Sequence, residues 1–256
     1  MNSLGKLAHG ISHFLNRLRF GKGDSYEAGA FWEYRHARYQ SDFRAVADSS
    51  DDAHDRYPKQ KAQLLKFLDT AGIKLAGGVG CTEFGCGNGF WAKVVLEAGA
   101  QSYTGLDISP TAVGHCKQNV PGGVFARVDL GGEDYAPQKP ADLVFSIDVT
   151  QHIVEEVKLG KFLQNMVAAV KPGGHIVLTT YAGFGDRYTD DDDRIDWIGR
   201  FIKVRKLRWV YAWDLPTLKK HLKGCELIAA SNFWEKTIFA FVRRCDSKQA
   251  VTAPGR

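Results

Sequence analysis

Three glycines spaced by one residue, Gly85, Gly87 and Gly89, interrupt the stretch VGCTEFGCGNGFWAKVV between an apolar run and a helical pattern. Without side chains, such positions let backbone approach a ligand closely and adopt dihedrals closed to other residues. Carboxylates stand at comparable places further along. Asp107 falls near the end of SYTGLDI, where a carboxylate can accept hydrogen bonds from both hydroxyls of a ribose. Asp129 follows VFARV, where a carboxylate could accept from an adenine amino group. FSIDVTQHI then brings Asp148, Gln151 and His152 to the end of a further run. An imidazole is the side chain whose ordinary pKa suits removal of a hydroxyl proton near neutrality. Each residue also has a purely structural reading. The glycines could serve a tight strand-to-helix connection, Asp107 could cap the helix that begins after Ser109, Asp129 could be a solvated loop residue, and His152 could pack against the next helix.

The elements that must position these groups are legible in the hydrophobic pattern. Short apolar runs VGCTEF, SYTGLDI, VFARV, DLVFSID and HIVLTTY alternate with helical patterns near 90–98, 110–118 and 154–170. Such alternation implies a parallel sheet covered on both faces. In that architecture ligands bind beyond the carboxyl ends of the strands, where strand order reverses, and the candidate positions all lie there. Lys171, Pro172, Gly173 and Gly174 are expected to end the long helix and turn into the fifth strand. A polar, aromatic-rich insertion at about 182–213 precedes a helix, a strand near 225–231, and the final strand KTIFAFVRR. Upstream, Pro58 is placed as the first residue of a helix running to about Thr70. Leu4, Leu7, Ile11, Phe14, Leu15 and Leu18 recur at helical spacing among Lys6, Arg17 and Arg19. This amphipathic helix would pack on its own domain or on a second copy of the chain, or else touch a membrane surface through 4–20. The expected division is therefore an N-terminal extension and lid over 1–55, an α/β domain over 56–245 and a flexible tail over 246–256.

Composition narrows the classes. The 256 residues are 44% hydrophobic and 25% charged, with a formal net charge of +5. The charge is spread along the chain, which disfavours a nucleic-acid partner. No run approaches the ~18 apolar residues of a membrane span. The first twenty residues lack a continuous apolar block with a cleavage site, so no secretory signal is expected. Five irregularly spaced cysteines suit a reducing cytoplasm and give neither a disulfide framework nor a paired zinc motif. Asp190 to Asp193 read as a solvated acidic loop, and no metal is expected.

EFGCGNG, YTGLDIS, DLVFSIDVTQHI and VKPGGHIVLTTY occur in the order and approximate spacing of class I S-adenosylmethionine-dependent methyltransferases, which the chain resembles from about 58 to 243. The resemblance implies a Rossmann-like, seven-stranded, mostly parallel sheet with an antiparallel last strand, and S-adenosyl-L-methionine as cofactor. By position it sets Glu83 and the Gly85, Cys86, Gly87 and Gly89 turn around the methionine portion. It gives Asp107 the ribose hydroxyls, Ile108 the adenine face and Asp129 the adenine amine, with Asp148 near the transferred methyl group. FWEYRHARY is also similar to the WxxRY-type opening segment of several bacterial small-molecule methyltransferases, in which an arginine or tyrosine closes over the cofactor carboxylate. Arg35, Arg38 and Tyr39 compete for that role, and a helix merely anchored by Phe31, Trp32 and Tyr34 is the alternative.

These motifs also order the possible reactions. A dinucleotide fingerprint would carry its third glycine at position 90, where Phe90 stands, so a nicotinamide-dependent oxidoreductase is disfavoured. SIDVTQ replaces the (Asn/Asp)-Pro-Pro-(Tyr/Phe) turn usual in members that methylate base or protein amides. The expectation is methyl transfer to a small molecule, a hydroxyl of a sugar or secondary metabolite, with Asp148 and His152 at the reacting end and His152 as base or orienter. Trp197, Trp209, Tyr211 and Trp213 beside Arg200, Lys203, Arg205 and Lys206 would suit a sugar or a phosphorylated or carboxylated acceptor, or simply a half-buried hairpin. The alternatives are an RNA or protein acceptor, and a cofactor-binding protein without turnover.

Overall fold

A computed structural model describes residues 15–22, 25–46, 50–181 and 209–245. Trp197, Arg200, Lys203, Arg205, Lys206, Asp190 to Asp193, the tail and most of the N-terminal amphipathic pattern lie outside the described residues. Seven strands form one sheet: β1 (Gly80–Phe84), β2 (Ser102–Asp107), β3 (Gly123–Arg127), β4 (Ala141–Ser146), β5 (Val170–Thr180), β6 (Cys225–Phe233) and β7 (Lys236–Arg243). Their spatial order is β3-β2-β1-β4-β5-β7-β6. β7 is antiparallel to both neighbours and the other pairings are parallel, as the resemblance implied.

Side-chain alternation explains why the runs are almost wholly apolar. On one face Leu143, Phe145 and Val177 pack with Leu64 and Phe67 of α3 (Ser50–Thr70) and with Trp91 and Val94 of α4 (Phe90–Glu97). On the other, Val144, Ile176 and Leu178 pack with Leu159, Phe162 and Met166 of α6 (Glu156–Ala169) and Leu218 of α7 (Leu215–His221). Both faces of the central strands are thus removed from water. α5 (Pro110–Asn119) joins β2 to β3. The chain runs outward from β1 to β3 and returns beside β1 at β4, which opens a crevice at the carboxyl ends of those two strands.

Two local expectations need correction. Pro58 does not begin its helix; α3 runs from Ser50 to Thr70 with Pro58 inside it. An interior proline costs about 3 kcal/mol, and this one is offset by packing of Tyr57 against Phe43 and Phe90, with ring centroids 5.0 and 4.7 Å apart. The segment Lys171 to Gly174 is likewise an irregularity inside β5, where the register with β4 shifts between Ala141 and Leu143. A Cβ on Gly174 would stand 2.8 Å from the Asp142 carbonyl oxygen, and Lys171 pairs with the Asp142 carboxylate.

α1 (Ala28–Tyr39) and α2 (Phe43–Val46) lie over the crevice, preceded by a short ribbon of Gly21–Lys22 with Ser25–Tyr26. Glu33 fastens α1 to the start of α5: its carboxylate accepts from Ser109 Oγ at 2.7 Å, from Thr111 N at 3.1 Å and from Thr111 Oγ1. Those bonds hold Glu33 below the usual carboxylate range, although burial pushes it upward. Glu33→Ala should loosen α1, with about 1–2 kcal/mol lost in urea denaturation and faster amide exchange confined to 28–46. Unchanged exchange there would show that α1 is held by its aromatic contacts alone.

Candidate active site

The crevice contains a cavity of about 560 Å³. Its floor is the turn after β1. Gly85 and Cys86 both donate to the Leu106 carbonyl, at 2.7 and 3.0 Å, so β2 holds the turn in place. Gly85 has φ +85°, and a Cβ there would collide with the Val149 side chain, lying 3.2 Å from its Cγ1 and nearer still to Cγ2. The glycine therefore answers both a left-handed backbone and the close approach of the β4 exit loop.

Asp107 ties this floor to the next strand. Its Oδ2 accepts from Gly87 N and its Oδ1 from Ser109 N, each at 2.9 Å. Ser109, not Asp107, caps α5: its hydroxyl accepts from Ala112 N at 3.1 Å, and Pro110 occupies the first helical turn. Asp107 is thus fixed in the cavity wall with lone-pair capacity left on both oxygens. Ile108 and Asp129 also line the cavity, and Asp129 Oδ1 accepts from Gly131 N at 3.2 Å and Gly132 N at 3.1 Å.

Not every expected residue reaches the wall. Glu83 is outside the lining, fully buried in the core, where the Tyr103 hydroxyl donates to Oε2 and Oε1 has no partner among the described residues. Burial pushes its carboxyl up to about 8, with the Asp107 charge adding and the Tyr103 bond opposing. Gly89 faces α5 instead, where a Cβ would meet Val120 at 2.8 Å and Cys116 at 3.1 Å. Of the three opening-segment candidates only Arg35 lines the cavity; Tyr39 and Arg38 do not. Arg35 donates to the carbonyls of Ala45 at 2.8 Å and Arg44 at 2.7 Å, which fixes the α1–α2 corner.

Asp148 and His152 also line the cavity. Asp148 is in the left-handed region at φ 62°, and its Oδ1 lies 2.9 Å from Lys236 Nζ. Burial pushes its carboxyl upward, but Lys236 more than reverses this and leaves it below the usual range. His152 meets the edge of Trp32, with ring centroids 4.9 Å apart, and its carbonyl accepts from the Tyr26 hydroxyl at 2.9 Å. Burial, reinforced by the Lys236 charge, lowers the imidazole to about 4, so it is neutral at pH 7.

The depressed His152 makes a signed prediction. The unfolded chain takes up this proton below its ordinary value near 6.5 while the folded chain resists until about 4. Its stabilising contribution is therefore complete above pH 6.5 and is lost as pH falls toward 4. Linkage gives a loss of roughly 2 kcal/mol between pH 7.5 and pH 5, and His152→Gln should remove that part of the slope in urea titrations.

Further residues complete the wall, and of these His36, Tyr26 and Lys236 are not singled out by the sequence. His36 from α1 is 2% exposed, bonds Ser41 Oγ through Nδ1 at 3.0 Å, and is lowered by burial while Asp107 pulls it upward. Tyr26, Phe31 and Trp209 stack with centroids 4.8 and 5.1 Å apart and close one side. Gln151 is 2% exposed, and its Oε1 has no partner among the described residues. Lys236, at the start of β7, carried no motif at all; only the antiparallel pairing of β7 with β5 brings it here. Among the described residues no group of acidic, histidine or cysteine side chains could hold a metal, and no helix is long and apolar enough to cross a membrane.

Residues 32–226 match the family described as a methyltransferase domain. The chain is 32% identical over 150 residues to ribosomal protein L11 methyltransferase of Serratia proteamaculans, covering 53% of this chain and 48% of that protein. It is 32% identical over 149 residues to tRNA U34 carboxymethyltransferase of Hahella chejuensis, covering 56% and 43%. The matched part is thus less than half the length of these curated relatives. Magnesium protoporphyrin IX methyltransferase from Synechocystis PCC 6803, solved with bound S-adenosylhomocysteine, superposes with a TM-score of 0.62 at 18% identity, over 85% of this chain and all of that one. An S-adenosylmethionine-dependent methyltransferase from Mesorhizobium loti gives 0.53 at 20% identity, over 69% and 95%. At those identities the likeness is one of fold.

Proposed function

From the premise that this chain belongs to the S-adenosylmethionine-dependent methyltransferase family, we propose that it methylates an oxygen of a small-molecule acceptor. When bound, S-adenosyl-L-methionine supplies a methyl group on a sulfonium, and its spent form is a neutral thioether. The residues present fit it: a side-chain-poor floor at Gly85 to Gly87 beside a buried carboxylate, Asp107, within one cavity. Asp107 would hold the ribose hydroxyls, Ile108 would lie against the base, and Asp129 would accept from the adenine amine. Arg35, already anchored at the α1–α2 corner, would face the cofactor carboxylate.

The observation that carries the small-molecule reading is the aromatic enclosure of the cavity by Tyr26, Phe31, Trp32 and Trp209. About 560 Å³ with such walls is the size and character of a site that surrounds a small ligand. Within the expected N-terminal lid, α1 and α2 would cover this site. Exclusion of water and orientation of the acceptor supply most of the rate in such a displacement.

The experiment is transfer of a labelled methyl group into separated metabolite, RNA and protein fractions of a cell extract. Label in the metabolite fraction alone is expected. Label in RNA or protein would favour the macromolecular acceptors named for the curated relatives, and cofactor binding with no transfer anywhere would leave a protein without turnover.

A further inference from the structure

Resting on that reading, we propose that the acceptor oxygen enters already ionised, as a carboxylate or an acidic phenolate, and docks on the ammonium of Lys236. Lys236 is a cation in the cavity wall that is withdrawn from water, with a side chain only 4% exposed. Its described neighbours are the Asp148 carboxylate, 2.9 Å away, and the face of Tyr181, 4.9 Å from the ring centroid. The contact with Asp148 is a close, buried ion pair. Asp148 and Tyr181 steady the charge, and an ammonium has three N–H bonds to give, more than the single contact with Asp148 uses. An anionic oxygen reaching this part of the cavity would meet a donor that is charged and desolvated, where such bonds are strongest.

The neighbouring bases point the same way. His152 is neutral and a weak base, since its imidazolium is lowered to about 4, and Asp148 is ionised and held below the usual carboxylate range. Neither is suited to take the proton of an alcohol. An oxyanion needs no such help: it contributes the electron pair for the new oxygen–carbon bond, the pair of the broken sulfur–carbon bond stays on sulfur, and no proton leaves at that step. Lys236 then acts as a binding residue for the acceptor, and Asp148 positions it. The left-handed backbone of Asp148 is a conformation worth about 1–3 kcal/mol of strain. It sets that carboxylate against Lys236.

The test reads the charge of the methylated product. The full chain is incubated with labelled S-adenosylmethionine and a metabolite extract, and acceptor and product are compared on an anion exchanger at pH 8. Methylation of an ionised oxygen removes one negative charge, so the labelled product should elute one charge earlier than its acceptor. Methylation of a sugar hydroxyl leaves the charge unchanged, and that result overturns the inference while leaving small-molecule oxygen methylation standing. No label in the metabolite fraction removes both. Lys236→Met should lower incorporation at least a hundredfold while S-adenosylhomocysteine affinity, by calorimetry, stays within threefold. Lys236→Arg should recover at least tenfold of that loss. Full incorporation by Lys236→Met would overturn the inference, and a Lys236→Met protein that no longer binds S-adenosylhomocysteine shifts the decision to Lys236→Arg and the product charge.

Discussion

Gly85→Ala should lower the stability of the chain by about 3–5 kcal/mol and abolish measurable affinity for S-adenosylhomocysteine. Two costs combine at this position. A left-handed backbone is strained by any Cβ, and here the new methyl group would also enter the Val149 side chain, whose branching allows little retreat. Gly77 separates the two, because it has the same φ of +85° with nothing within 4 Å of its Cβ position. Gly77→Ala should therefore cost only about 1 kcal/mol and leave binding intact. Equal effects of the two substitutions in urea denaturation would mean that the Val149 contact is unimportant.

Asp107→Ala is expected to weaken S-adenosylhomocysteine at least a hundredfold in calorimetry. The carboxylate does two things at once: it would grip the ribose, and it holds the floor through Gly87 N and Ser109 N. Bonds from backbone N–H to an ionised acceptor are worth about 1.5–3 kcal/mol each, so their loss disorders the turn as well as removing a ligand contact. Asp107→Asn should rescue little. An amide has one accepting oxygen, and its NH2 would face one of two N–H donors. Near-normal affinity in Asp107→Asn would indicate that the charge of Asp107 is dispensable.

Much of this architecture was legible because period and punctuation are local properties. Alternating apolar runs and helical patterns led to the parallel sheet, and the spaced glycines and Asp107 fell at the reversal of strand order. What escaped depends on long-range pairing. Lys236 reads as one polar residue at the start of a strand, and its place beside Asp148 exists only because β7 inserts between β5 and β6. His36 likewise reaches the cavity through the packing of α1, which Glu33 pins to α5. Glu83 shows the opposite failure: strand alternation turns its side chain into the core, against Tyr103, two residues before the turn it was expected to serve. Pro58 misled because a proline favours a helix start locally, whereas aromatic packing around Tyr57 fixed the helix earlier in the chain.

The account stands on where the nucleoside lies. A crystal structure of the chain grown with S-adenosylhomocysteine should place both ribose hydroxyls on the Asp107 carboxylate and the amino-acid end over Gly85 to Gly87. Ordered nucleoside anywhere outside this cavity, or its ribose turned away from Asp107, would contradict it.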